Sequence, residues 1–136
     1  MKYLLDVNAL VAWGWSDHEN HKHVAQWIGK MKKKSEAKLC TSAIPELGFV
    51  RVSLHRAGGA LELAEAVNTL TSMLRSLGAQ HAFVGDDHSA SDGFPEWCAG
   101  PAMTTDAHLL LLAKAHGLQL ATLDNGIPGA YRIPSE

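Results

Sequence analysis

The sequence is poor in several features that define whole classes of protein. It has two cysteines among 136 residues, and the wide spacing of Cys40 and Cys98 fits neither a disulfide framework nor a zinc site. No apolar run approaches the roughly 20 residues that a transmembrane helix needs. The apolar stretch at the N-terminus is too short for a signal peptide. We therefore expect two ordinary thiols, no membrane segment and a cytoplasmic location.

Neither sign of charge dominates the sequence. The formal net charge is -2, so bulk electrostatic attraction alone cannot hold this protein on nucleic acid. A nuclease is not excluded, because clustered carboxylates lower the charge of a metal-free protein and bound divalent cations reverse it locally. The composition, 46% apolar and 19% charged, is typical of a globular protein. The length fits one domain over residues 1–136.

Short apolar runs alternate with helical patterns along the chain. Strands are predicted at 3–5, 38–41, 81–84, 118–122 and, more weakly, 131–133, and helices near 18–31, 43–55, 63–77 and 106–116. Leu47, Val50 and Leu54 are expected to share one face of their helix. Residues 85–101 are predicted to form a long irregular loop. This alternation predicts an α/β fold, a three-layer α/β/α sandwich with a central parallel sheet.

Four acidic residues occupy related positions on this framework. Asp6 follows the first strand, and Asp124 follows the strand at 118–122. Glu46 lies in the first turn of the helix after the second strand, and Asp106 begins a helix. Each position follows a strand or opens a helix, so all four side chains can converge at the carboxyl edge of a parallel sheet. Open α/β sheets bind ligands at that edge.

Four converging carboxylates need a positive partner. Their mutual repulsion would raise their pKa values unless a cation neutralised them. Mg²⁺ and Mn²⁺ prefer oxygen ligands and often bridge carboxylates to substrate phosphates. Such a site can activate a water for in-line attack on a phosphodiester bond. The pattern therefore favours a metal-dependent hydrolase over a set of capping and turn residues.

Four blocks of the sequence carry a resemblance to a known family. They are Leu4-Leu5-Asp6-Val7-Asn8, Pro45-Glu46-Leu47-Gly48-Phe49-Val50-Arg51, Thr105-Asp106-Ala107-His108-Leu109 and Ala121-Thr122-Leu123-Asp124-Asn125-Gly126. In this order they resemble a PIN domain, and more narrowly the VapC toxins of bacterial toxin–antitoxin pairs. The resemblance implies a Mg²⁺- or Mn²⁺-dependent endoribonuclease with an RNA substrate. It also implies a homodimer, inhibited by an antitoxin whose tail enters the acidic groove.

The resemblance also implies roles for individual residues. The family's acidic quartet, which serves in both catalysis and metal binding, matches Asp6, Glu46, Asp106 and Asp124. Asp6 and Asp106 are expected to be direct metal ligands. Glu46 and Asp124 are expected to act through water or at a second metal. Asn8 and Thr122 are expected to support the acidic residues. Asn8 would orient the first aspartate, and Thr122 would contribute its hydroxyl. Arg51 can face the groove, where it would contact a phosphate, or the solvent.

The same residues argue against other classes of protein and site. A dehalogenase-type phosphatase needs an Asp where Asn8 stands, and a receiver domain needs a late Lys outside a helix. The histidines His18, His21 and His23 lack a Cys or Asp partner at zinc spacing, so we interpret them as solvent-facing. Asp86-Asp87-His88 is interpreted as turn chemistry. The remaining alternative is a catalytically inactive PIN-like module that binds RNA or protein.

Overall fold

A five-stranded parallel sheet forms the centre of the structure, a computed structural model that describes residues 1–135. The strands are β1 (Lys2–Leu5), β2 (Lys38–Ser42), β3 (His81–Val84), β4 (Gln119–Thr122) and β5 (Tyr131–Arg132). Their order across the sheet is β3-β2-β1-β4-β5, and every neighbouring pair is parallel. Central parallel strands are buried on both faces, which explains why residues 3–5 of β1 are all apolar and do not alternate with polar residues.

Five helices cover the two faces of this sheet. They are α1 (Val7–Gly14), α2 (His21–Lys32), α3 (Ala43–Ala57), α4 (Leu63–Ser76) and α5 (Thr104–Ala115). Short 3₁₀ turns occupy Gly78–Gln80, Ala90–Asp92 and Pro101–Met103. The predicted α/β/α sandwich with a central parallel sheet is confirmed, and the predicted irregular loop at 85–101 contains one of these turns.

The pleat of β1 divides the core into two clusters. Leu5 packs with the first cluster, to which α1, α2, α3 and α4 all contribute side chains. Leu4, its neighbour, packs with the second cluster, which is built on Leu109, Leu112 and other residues of α5. Successive side chains of a strand point to opposite faces, so α5 lies on the other side of the sheet from the first four helices.

The strand order reverses between β1 and β4. The chain runs outward from β1 through β2 to β3, and then returns to place β4 on the other side of β1. At this switch point the connections leave the sheet in opposite directions, and a crevice opens at the carboxyl ends of the two strands. The Asp6 amide bonds the Ala121 carbonyl there, with N and O 3.2 Å apart. The fold therefore places the ends of β1 and β4 side by side.

The buried face of α3 differs from the sequence-based prediction. The sequence predicts Leu47 on the apolar face of this helix, but Leu47 is 69% exposed, and the buried positions are Pro45, Gly48, Phe49 and Ser53. The cause is a close contact with α1. A Cβ added at Gly14 would lie 2.6 Å from Cε1 of Phe49, and one at Gly48 would lie 2.6 Å from Cγ2 of Val7. Small residues are needed where the two helices meet, which turns Leu47 to the solvent.

Helix α4 is also less buried than its apolar spacing suggests. Ala66 and Leu70 are buried, whereas Leu63 and Val67 are exposed.

Within residues 1–135, no helix is both long enough and apolar enough to cross a membrane. Cys40 and Cys98 are both free thiols, with Cys40 buried and Cys98 half-buried.

Candidate functional site

Asp6 lies at the junction of β1 and α1 and is the most deeply buried acidic residue of the site. It is the N-cap of α1, where its Oδ1 accepts a hydrogen bond of 2.8 Å from the Ala9 amide. Asp is favoured at this position because its carboxylate satisfies an amide that the helix leaves unpaired. Only 3% of Asp6 is exposed. The short strand and the helix that follows it thus hold this carboxylate rigidly at the sheet edge.

Asp106 and Asp124 approach Asp6 from two other segments. Asp106 lies in the first turn of α5, and Asp124 follows β4. Oδ1 of Asp124 accepts a 2.7 Å hydrogen bond from the Gly126 amide, which fixes the turn after the strand. The charges of Asp106 and Asp124 both raise the pKa of Asp6, and Asp124 also raises that of Asp106. These three predicted residues therefore lie within electrostatic range of one another at this edge of the sheet.

Thr122 supports the same group of carboxylates. Its side chain is completely buried, and its Oγ1 accepts a 3.0 Å hydrogen bond from the Asp124 amide. The same hydroxyl favours the ionised form of Asp6. A buried hydroxyl can both accept and donate, so Thr122 can link the two carboxylate-bearing segments.

Burial sets the protonation of the site. It raises the pKa of Asp6 from 3.8 to about 6, against the opposing effects of the Thr122 and Ala9 hydrogen bonds. Burial is also the main cause of the raised pKa of Asp106. The ion pairs that residues 1–135 form are Arg56–Asp17, Asp86–His108 and Asp87–His116, so none of them neutralises this site. Within residues 1–135, no Lys, Arg or His forms an ion pair with these three carboxylates.

Glu46 is held by a different set of contacts. Its Oε2 accepts a 2.6 Å hydrogen bond from the Thr41 hydroxyl, and Nε2 of His81 lies 2.7 Å from the same hydroxyl. Because Thr41 donates its only proton to Glu46, His81 must donate to Thr41. Thr41 lies two residues after Leu39, and so on the sheet face opposite to α5. These contacts connect Glu46 to β2 and β3, and Glu46 is not among the charges that raise the pKa of Asp6.

The supporting residues have different environments. Asn8 lies in the first turn of α1, is exposed, and lines a cavity together with Asp124. Its predicted role in orienting Asp6 stays a prediction, since the amide that bonds Oδ1 belongs to Ala9. Arg51 is exposed on α3. Whether Arg51 contacts a phosphate also stays a prediction.

Sequence reasoning missed several polar contacts. The link from His81 through Thr41 to Glu46 depends on the register of two strands, which pairs Leu39 with His81. The sequence predicts turn chemistry for the acidic pair after β3, and the His88 amide does donate to Oδ1 of Asp86 at 3.3 Å. The structure adds that Oδ2 of Asp86 lies 2.7 Å from Nε2 of His108. This contact pins the 85–101 loop to α5.

The donor atoms at this edge fit a hard divalent cation. They are carboxylate oxygens, and Oγ of Ser42 adds a fully buried hydroxyl that has no hydrogen-bond partner within residues 1–135. Mg²⁺ keeps several waters and is usually bound through one or two carboxylates rather than a closed protein cage. Within residues 1–135, no group of three or more His, Cys, Asp or Glu side chains is arranged so that it could hold a metal ion as it stands.

We expect the burial of Asp6 to make the metal-free fold less stable as the pH rises. Its pKa is about 6 in the folded protein, against 3.8 for an unperturbed Asp. Between these values the folded state binds more protons than the unfolded state, so the free energy of unfolding falls with rising pH. The total loss is on the order of 3 kcal/mol and is complete above the folded pKa.

The check is urea unfolding in EDTA from pH 4 to pH 7, with Asp6→Asn as the comparison. Asparagine keeps an oxygen that can accept the Ala9 hydrogen bond but cannot ionise. The variant should lose most of the fall in stability and should be the more stable protein at pH 7. An identical pH dependence in both proteins would show that Asp6 is not the responsible group.

Known proteins resemble this chain over most of its length. The family described as PIN domain matches residues 3–133. Ribonuclease VapC38 of Mycobacterium tuberculosis is 39% identical over 126 residues, which cover 91% of this chain and 86% of that protein. Ribonuclease VapC39 of the same species is 32% identical over 91% of this chain and 89% of its own length. Ribonuclease VapC44 is 33% identical over 97% of this chain and 96% of its own.

Proposed function

The chain belongs to the PIN domain family, and on this premise we propose that it is a Mg²⁺-dependent endoribonuclease, the toxin of a VapBC-type pair. The observation that carries the proposal is the group of Asp6, Asp106 and Asp124, whose charges act on one another at the switch point of the sheet. The names of the relatives, each a ribonuclease VapC, give the reaction class.

In this proposal each acidic residue has a defined part. Asp6 and Asp106 would hold the metal directly, and Asp124 and Glu46 would act through water or at a second metal. When bound, Mg²⁺ (or Mn²⁺) lowers the pKa of a water and stabilises charge on the phosphodiester. Thr122 favours the ionised form of Asp6, against the effect of burial, and holds the segment of Asp124 in place. The Thr41 hydroxyl fixes one carboxylate oxygen of Glu46, which leaves the other free to accept from water.

The proposal includes partners. RNA is the substrate, a cognate antitoxin is the inhibitor, and two copies of the chain form a homodimer in the cytoplasm. Exposed apolar side chains on α3 and α4, Leu47, Leu63 and Val67, support a protein partner on that side of the molecule. Exposed apolar side chains become more favourable when a partner removes them from water.

The test is incubation of the purified protein with total RNA in Mg²⁺, in EDTA, and with Asp6→Ala in place of the natural chain. We expect discrete fragments from the natural protein in Mg²⁺ and none in the other two reactions. Cleavage that survives both EDTA and the substitution would contradict the metal-dependent mechanism. RNA binding without any cleavage would instead favour the alternative, a catalytically inactive binding module.

A further inference from the structure

A polar cavity lies directly beside the acidic group. Its volume is about 370 Å³, and it is lined by Asn8, His18, Glu19, Asn20, Leu123 and Asp124. Asp124 belongs both to this cavity and to the proposed metal centre. The other lining residues come from the start of α1, from the segment before α2 and from the turn after β4. A substrate group that enters this cavity would therefore sit next to the phosphodiester at the metal.

The lining suits a nucleobase better than a phosphate. The side chains offer two carboxylates, Glu19 and Asp124, and two primary amides, with no Lys or Arg among them. The Glu19 carboxylate, which lies outside the proposed metal centre, repels an anionic phosphate but accepts hydrogen bonds from the N–H groups of a base. The amides can donate and accept. Sequence-specific RNA-binding proteins usually recognise single-stranded bases on their Watson–Crick edges in this way.

His18 adds a hydrogen-bond donor whose position the structure fixes. Its Nδ1 lies 3.0 Å from the Asn20 amide. A backbone amide can only donate, so Nδ1 accepts and the neutral ring carries its proton on Nε2. Burial, and then the charge of Arg56, lower the pKa of His18, which favours this neutral ring. His18 therefore has an N–H on Nε2 available for a carbonyl or ring nitrogen.

We propose that this cavity binds one unpaired guanine of the RNA, with Glu19 accepting from its N1–H and N2–H groups and His18 donating to O6 or N7. Among the four bases, guanine alone carries two adjacent donors on its Watson–Crick edge, which match the two oxygens of a carboxylate. Paired charge-assisted bonds of this kind add geometric specificity. The inference rests on the proposed endoribonuclease function, and it makes Glu19 a specificity-determining residue.

The first test uses short single-stranded RNAs that contain one guanine, or inosine in its place. Inosine lacks only the N2 amino group. The natural protein in Mg²⁺ should cut the guanine RNA roughly tenfold faster than the inosine RNA. Glu19→Gln should abolish most of this difference, because an amide cannot accept both bonds. Glu36→Gln, the same change at an exposed position outside the cavity, should retain it.

The second test separates this inference from the proposed function. Guanosine and inosine 5′-monophosphates are added to the ¹⁵N-labelled protein without metal, and the amide signals are followed by NMR. Stronger binding of the guanosine nucleotide, with shifts centred on Glu19 and Asn20, supports the guanine site even if no RNA is ever cleaved. Equal rates on both RNAs, or shifts confined to other surfaces, would overturn the guanine site while leaving any observed cleavage intact.

Discussion

Replacing Asp106 with asparagine should reduce RNA cleavage by about a thousandfold without unfolding the protein. A catalytic metal supplies several kcal/mol of charge stabilisation in the transition state, and each 1.4 kcal/mol corresponds to a tenfold change in rate. The side chain is only partly exposed in the first turn of α5, and the substitution keeps its size. The loss should therefore appear in the rate of the chemical step rather than in the amount of folded protein.

The measurement is single-turnover cleavage of a labelled RNA at the Mg²⁺ concentration that saturates the natural protein, together with a far-UV spectrum and an unfolding curve. Asp92→Asn, the same chemical change at an exposed position in the 85–101 loop, is the control and should retain the natural rate. Raising the metal concentration should partly restore the Asp106 variant, because one ligand has been weakened rather than the whole site removed. An unchanged rate in the variant would contradict the assignment of Asp106 as a ligand.

The largest effect on stability is expected at Phe49. Phe49 belongs to α3, and its side chain is fully buried in the first core cluster, next to Gly14 at the end of α1. Truncation of a buried Phe to Ala typically costs about 3–5 kcal/mol, because apolar contacts are lost and a cavity remains. A loss of this size is a large part of the total stability of a small domain.

Urea unfolding of Phe49→Ala and Leu47→Ala tests this expectation. Leu47 is two residues away on the same helix but is mostly exposed, so its substitution should change the free energy of unfolding by less than about 0.5 kcal/mol. A larger effect at Leu47 than at Phe49 would mean that α3 packs on its other face. It would also contradict the close contact between α1 and α3.

The sheet could be predicted because its strands are short, apolar and separated by helical patterns. Asp6 and Asp124 could be placed for the same reason, since each follows a strand directly. The orientation of α3 could not be predicted from hydrophobicity, because Leu47, Phe49 and Val50 put apolar groups on several of its faces. The orientation of α3 is determined by its close packing against α1. This packing requires a small residue at Gly48, and a glycine carries no hydrophobic signal.

The surroundings of the site depend on contacts between distant segments. Thr41 and Glu46, which form a hydrogen bond, are five residues apart in the sequence. His81 is distant in the sequence and lies near Thr41 only because of the register between β2 and β3. The cavity is formed by three segments of the chain, so the spacing of His18, His21 and His23 could not predict it. His18 lines that cavity, whereas Nδ1–H of His21 donates to the Ala12 carbonyl at 2.9 Å. Helical spacing alone cannot separate these two environments.

The central claim is that side chains from three separate segments form one metal-binding centre. Titration of Mn²⁺ into the ¹⁵N-labelled protein tests it directly, because this paramagnetic ion broadens the amide signals of nearby residues. We predict that the signals of Asp6, Asp106 and Asp124 broaden together at the lowest Mn²⁺ concentrations, and that Asp106→Asn weakens this effect. Broadening that begins elsewhere, for example at Asp86 and Asp87, and spares these three residues would contradict the account.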